Sequence, residues 1–292
     1  KFIKVKRKRV VNPCQNMKDR NNIEQEELWN GRLGEGYISV VNYIDSVVQP
    51  FSDLAVSAVN ASPGDVILDV GCGCGSTSLS FARAGARVAG IDISRKMIAQ
   101  ARKNSKGVPN LSFHLGDAAT EKLDLAYTHV FSRFGVMFFS EPFAAFKNIY
   151  SGLKCGGKIT FLCWQALPEN EWISASLEPL EPFRQPGQTP LDPRSPGGFA
   201  FADRDYVMDI LSASQFVNIK IESLQTNLDM GQSIDEIMAF HSRVGPLSGI
   251  LQDLDHKKGL EAIAAVKASM VARMDKTGLN LSASAWLVTA DA

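Results

Sequence analysis

No run of the roughly 18 apolar residues that a membrane-spanning helix needs occurs in this chain of 292 residues. An excess of either charge sign is missing too, because 31 Lys and Arg balance 31 Asp and Glu. A net charge of zero gives the molecule as a whole no pull toward nucleic acid or anionic lipid. Histidine is scarce, at 4, and none stands with cysteine at zinc-ligand spacing, so no metal site is expected. Cysteine is limited to 5, an odd number. Cys14, Cys72, Cys74, Cys155 and Cys163 are expected as free thiols in a reducing, cytoplasmic setting, and no secretory signal pattern is visible.

An apolar share of 45% is enough for a full core, and 21% charged residues suit a water-exposed surface. The length fits one large domain or one domain with a cap. Charge is uneven only at the start, where Lys1, Lys4, Lys6, Arg7, Lys8 and Arg9 crowd together. Such a run is either a nucleic-acid arm or targeting signal, or simply a disordered or vector-derived tail. Residues 1–20 are expected as that disordered tail.

The densest information lies at Val66–Ser76, which reads Val-Ile-Leu-Asp-Val-Gly-Cys-Gly-Cys-Gly-Ser. An apolar strand is followed by Gly71, Gly73 and Gly75 and then by a helical pattern over 76–84. Glycines allow a tight turn and a close approach to ligand, and free N–H groups at the helix start face it. A dinucleotide fingerprint would need Gly or Ala at 76, where Ser76 stands, and a phosphate-binding P-loop would need a Gly-Lys-Ser/Thr ending. A second strand, 87–92, ends in Asp92, an acid placed to accept two hydrogen bonds from ribose hydroxyls. Strands follow at 111–115, 128–134 and 159–164, with helical patterns over 94–104 and 142–153 between them. This alternation predicts a parallel sheet covered on both faces.

The Asp69-x-Gly71-x-Gly73-x-Gly75 pattern resembles the first motif of class I S-adenosylmethionine-dependent methyltransferases. The Leu-Lys-Cys-Gly-Gly turn at 153–157 resembles that family's turn before strand five, with Cys155 where proline is usual. The closest likeness is to the ubiquinone/menaquinone-biosynthesis-like small-molecule branch, over about residues 25–165. The resemblance implies a seven-stranded, mostly parallel Rossmann-like α/β sheet and S-adenosyl-L-methionine as cofactor. It implies that Asp69, Gly71, Cys72, Gly73 and Gly75 form the cofactor loop and that Asp92 holds the ribose. Ile93 and Met97 would flank the adenine, whose amino group faces Gly116, Asp117 and Ala118. Ser132, at the end of strand four, would line the methionine side. Trp29, in the Trp-Asn-Gly element upstream, either covers the cofactor or anchors the core. One departure is Tyr127-Thr128, where the family has Phe-Asp.

The second half offers fewer anchors. A proline-rich loop spans 179–196, and a helix capped by Asp203 and a sixth strand at 216–221 follow. Strand seven is best placed at 285–289, leaving an insertion of helical pattern with a capping box at Ser233–Glu236. The expected division is 21–292 as a methyltransferase domain, with a helical cap at 23–62, a core at 63–223, an insertion at 224–282 and a last strand at 283–292. Cap and insertion would roof a substrate pocket beyond the carboxyl ends of the strands.

Several subclasses are excluded by what is missing. There is no Asn-Pro-Pro-Tyr/Phe, no Pro-Cys nucleophile near the cofactor motif, and no acid at the end of strand four, where Ser132 and Arg133 stand. Metal-independent transfer to an O, N or C atom of a small, apolar or aromatic acceptor remains. Nucleic acid is not the expected partner, and self-association stays open. Candidate catalytic residues are His129, Arg133, as a binder of an anionic acceptor, and His241, as a general base. Each has an alternative as packing or surface pairing. Two other readings stay open: an RNA or protein methyltransferase guided by the basic tail, and a silent cofactor-binding module.

Overall fold

A computed structural model describes residues 16–124, 126–184 and 192–292, with side chains from Ile23 onward. The basic run at 1–9, Cys14 and part of the proline-rich loop lie outside the described residues. Four helices open the fold: α1 (Asn16–Asn30), α2 (Arg32–Ser39), α3 (Val41–Val47) and α4 (Gln49–Val59). The core alternates β1 (Val66–Val70), α5 (Ser76–Arg83), β2 (Arg87–Asp92), α6 (Arg95–Asn104), β3 (Leu111–Leu115), β4 (Tyr127–Arg133), α7 (Pro142–Gly152) and β5 (Leu153–Trp164). After α8 (Glu171–Leu177) and α9 (Arg204–Ala213) comes β6 (Val217–Asp229), then α10 (Ile234–Arg243), α11 (Pro246–Ile250), α12 (His256–Arg273) and β7 (Asn280–Asp291).

The strands form one sheet in the order β3-β2-β1-β4-β5-β7-β6, with β7 antiparallel to both its neighbours and the other pairs parallel. This is the Rossmann-like methyltransferase architecture expected from the resemblance. The order reverses at β1 and β4, so a crevice opens beyond their carboxyl ends, where open α/β sheets take ligands. Central β1 is buried along nearly its whole length, which a sheet covered on both faces requires. Phe81 and Phe131 pack edge to face at 4.8 Å beneath it.

Side-chain caps fix the helix starts: Ser94 accepts from Met97 N–H, Asp203 from Asp205 and Tyr206, Ser233 from Glu236, and Asp255 from Lys258. Four boundaries differ from the expectation. The tail does not extend to residue 20, because α1 begins at Asn16. The apolar spacing of Ile38, Val41, Ile44 and Val48 predicts one helix over 37–48, but the chain breaks it at Val40, and α2 uses Gly36 to lie against the Arg243 carbonyl, where a Cβ would come within 2.4 Å. Strand β6 runs eight residues past the expected end, and β7 starts five residues before its own. Polar Glu222, Ser223, Gln225, Thr226 and Asn227 hide the first extension, because β6 is an edge strand whose outer side meets water.

Candidate cofactor and acceptor cavity

Strand β1 delivers the chain to a loop in which Gly71, Gly73 and Gly75 all have positive φ, at 66°, 53° and 86°. An L side chain there would cost about 1–2 kcal/mol per residue. The three glycines do different things. A Cβ at Gly71 would sit 3.0 Å from Gly135 Cα, and one at Gly75 would run into the Phe113 ring at 2.6 Å. A Cβ at Gly73 would meet only Met97 Sδ at 3.9 Å, because that glycine borders open space.

The open space is a cavity of about 770 Å³, inside the range of roughly 300–1,000 Å³ usual for small-molecule sites. Gly71, Asp92, Gly116, Arg133 and Trp164, at or just past the carboxyl ends of β1, β2, β3, β4 and β5, form its floor. Asp92 is fixed by backbone donors: Gly73 N–H reaches Oδ2 at 2.8 Å and Ser94 N–H reaches Oδ1 at 2.7 Å. Each carboxylate oxygen keeps a further acceptor position. Burial raises the carboxyl above the usual range, and the two N–H groups oppose that rise.

Helix α1 docks directly over this acid. Asn30 donates to Ile93 O and accepts from Arg95 N–H, while Ser94 Oγ donates to Trp29 O. Trp29, Ile93, Met97, Gly116, Asp117 and Ala118 therefore share one wall region with Gly71, Gly73 and Asp92. Four of the expected loop and strand residues do not face the cavity. Asp69 is buried beneath the loop and accepts from Thr77 and Ser78, tying β1 to α5; burial pushes its carboxyl up to about 6. Ser132 donates to Val70 O at 2.8 Å and bridges β4 to β1. Gly75 packs on Phe113, and Cys72 borders only a small polar pocket behind the loop.

The three candidate catalytic side chains are not brought together. His129 stands in register with Ile67, near the amino end of the sheet, and its nearest acid is Asp65 at 3.9 Å, beyond hydrogen-bond reach. The period-two alternation of β4 says which face a residue takes but not which end the ligand occupies. His241 is fully buried off the cavity wall, neither ring nitrogen has a hydrogen-bond partner among the described residues, and burial lowers it to about 4. Arg133 does border the cavity, but its guanidinium donates to Asp45, to Ser52 Oγ and to Ser76 Oγ, which occupies it. Thr128, at the departure from Phe-Asp, accepts from Val66 N–H at 3.0 Å and lies 3.1 Å from Asp65, so the strand entry is still tied.

The other half of the cavity is aromatic. Phe134, in the left-handed region at φ 58°, stacks on Trp164 at 3.9 Å with planes 7° apart. Trp172 continues the series 4.8 Å from Trp164, Phe240 lies 6.0 Å further, and Tyr43 is 5.9 Å from Phe240. Asn170, fully buried, accepts from Trp172 Nε1–H at 3.0 Å and fixes that ring. Tyr43 donates to Met230 O at 2.9 Å. Asp45, Tyr43, Asn170 and Phe240 carry no motif, because each gains its place only through a partner distant in sequence.

The description Methyltransferase domain belongs to the family model that matches residues 67–157, the stretch holding the glycine loop, Asp92 and β4. Phosphoethanolamine N-methyltransferase 1 of Zea mays is 33% identical over 130 residues, covering 44% of this chain and 25% of that protein. An uncharacterised protein of Mycobacterium tuberculosis is 28% identical over 154 residues, covering 51% of this chain and 54% of its own length. The chain thus spans between a quarter and about half of these curated relatives. Among solved structures, the YcgJ protein of Bacillus subtilis aligns with a TM-score of 0.54 at 18% identity, covering 82% of this chain and 97% of that one.

Proposed function

We propose that this chain, whose residues 67–157 are a methyltransferase domain on the class I fold, is a metal-independent enzyme that methylates a small apolar or aromatic molecule with S-adenosyl-L-methionine. The observation that carries the reading is the continuity of one cavity from the bare backbone of Gly73 and the acid Asp92 to the aromatic series of Trp164, Trp172 and Phe240.

The residues fit the cofactor. Asp92 has acceptor positions left for ribose hydroxyls, Gly73 leaves room that a side chain would fill, and Ile93 and Met97 offer apolar contact to the adenine. Trp29 closes that end from above through the docking of α1. S-adenosylmethionine, when bound, supplies an activated methyl group. The chain's part is to align the acceptor with that group and to keep water away, which is where in-line displacement gains its rate. Phe134 and Trp164 orient the acceptor at the junction of the two halves, and α2, α10 and α11 cover it.

The test uses methyl-labelled S-adenosylmethionine with the full chain and a cell extract separated into small-molecule, RNA and protein fractions. Label is expected in the small-molecule fraction, sensitive to Asp92→Ala. Label confined to RNA or protein would overturn the reading.

A further inference from the structure

Arg133 ends β4 beside Phe134, and the two side chains part there. Phe134 stacks on Trp164 toward the aromatic half, while Arg133 reaches back to the cap. Its Nη2 donates to Asp45 Oδ1 of α3 at 2.5 Å and to Ser76 Oγ at 3.1 Å, and its Nη1 donates to Ser52 Oγ of α4 at 3.1 Å. Only 12% of the Arg133 side chain is exposed, so this cation stands largely outside bulk water. Among the described residues these contacts take three of the five N–H donors that a guanidinium carries. One donor on Nη1 and the one on Nε are left for a ligand.

Arg133 borders two spaces. One is the large cavity, and the other is the small polar pocket of about 30 Å³ behind the glycine loop, which Asp45, Ser76 and Thr77 also line. Tyr37, Gly71 and Gly73 line both, so the two spaces adjoin at the corner where the loop begins. Tyr37, pushed up to about 12 chiefly by burial, keeps its hydroxyl proton near neutrality.

The shape of a sulfonium fixes what belongs in that corner. The sulfur of S-adenosylmethionine carries the ribose carbon, the methyl and the amino-acid chain, which diverge from a pyramidal centre. With the ribose at Asp92 and the methyl turned toward an acceptor at Phe134 and Trp164, the amino-acid chain leaves toward Gly71, Tyr37 and Arg133. A carboxylate arriving there exchanges water for a guanidinium already held in place, a pairing whose charge-assisted hydrogen bonds are about twice as strong as neutral ones.

We propose that Arg133 binds the carboxylate of the cofactor's amino-acid end and selects for it, and that Asp45 of the cap is the positioning residue that aims the guanidinium. This rests on the methyltransferase reading above. The anion that Arg133 meets is then the cofactor's own and not the acceptor's.

Calorimetry with the full chain compares S-adenosylhomocysteine, its decarboxylated analogue, which keeps the amine, and 5′-methylthioadenosine, which lacks the amino-acid end. Wild type is expected to bind S-adenosylhomocysteine about tenfold to a hundredfold more tightly than the decarboxylated analogue, the ratio that a hydrogen bond to a charged group supplies. Arg133→Met should erase that preference by weakening S-adenosylhomocysteine alone, with the other two ligands bound as before. Because this variant leaves Asp45 without its cation, the double variant Asp45→Asn/Arg133→Met is measured beside it and should show the same loss. Asp45→Asn by itself should reduce the preference without abolishing it. Equal binding of S-adenosylhomocysteine and its decarboxylated analogue by wild type, or a loss in the Arg133 variants that falls equally on all three ligands, would overturn the proposal and leave the cofactor reading standing. Failure of the folded wild type to bind any of the three would remove the methyltransferase reading and this inference with it.

Discussion

At the scale of single residues, burial separates the four ionisable groups that matter most. Arg133 and Asp92 are compensated, one by Asp45 and hydroxyls and the other by two backbone N–H groups. Asp69 is compensated on one oxygen only, its Oδ1 having no partner. His241 has none among the described residues, so its proton is unwelcome in the folded state. A histidine whose folded value lies at about 4 against 6.5 unfolded is neutral in the native protein above that point. Stability is then intact above 6.5 and falls as pH drops from 6.5 toward 4, because the unfolded chain takes up the proton first. A gap of about 2.5 units corresponds to about 3 kcal/mol. Urea unfolding at pH 7 and pH 4 should show wild type losing about 3 kcal/mol more than His241→Leu; parallel losses would mean that the imidazole finds a partner.

At the scale of elements, the roof has two parts that meet over the cavity. Arg32 of α2 donates to Ser248 of α11, Gly36 rests against the end of α10, and Lys96 of α6 pairs with Glu35. These contacts are exposed or half-buried, so each contributes at most about 1 kcal/mol. Arg32→Ala should therefore change global stability by less than about 1 kcal/mol yet speed amide exchange in α2 and α11 while leaving β1 and β4 unchanged. Uniform exchange in both proteins would show that the latch holds nothing. Strands β1 and β2 are legible because each is a short apolar run closed by glycine or an acid, as at Val66–Gly71 and Arg87–Asp92. The break at Val40 and the length of β6 were not, since both depend on what the segment packs against or leaves in water.

At the scale of the whole molecule, the two halves of the cavity differ in how they are encoded. The half near Gly73 and Asp92 is built from consecutive strand–turn–helix units, so the spacing marks a ligand turn and an acid beside it, while the resemblance implies which ligand they serve. The aromatic half draws Tyr43 from α3, Trp164 from β5, Trp172 from α8 and Phe240 from α10, which only the closed fold brings together. His129 shows the complementary case: its residue type suggests chemistry, while its register with Ile67 places it toward the amino end of the sheet, away from the cavity lining. Among the described residues no helix is long and apolar enough to cross a membrane. The central claim is that the Gly73–Asp92 end of the cavity holds S-adenosylmethionine. Calorimetric titration of S-adenosylhomocysteine into wild type and Asp92→Ala tests it most directly. The account predicts saturable binding by the wild type and a loss of about 1.5–3 kcal/mol in the variant, the value of a hydrogen bond to a charged group. Equal affinities, or no binding by a folded wild type, would contradict it.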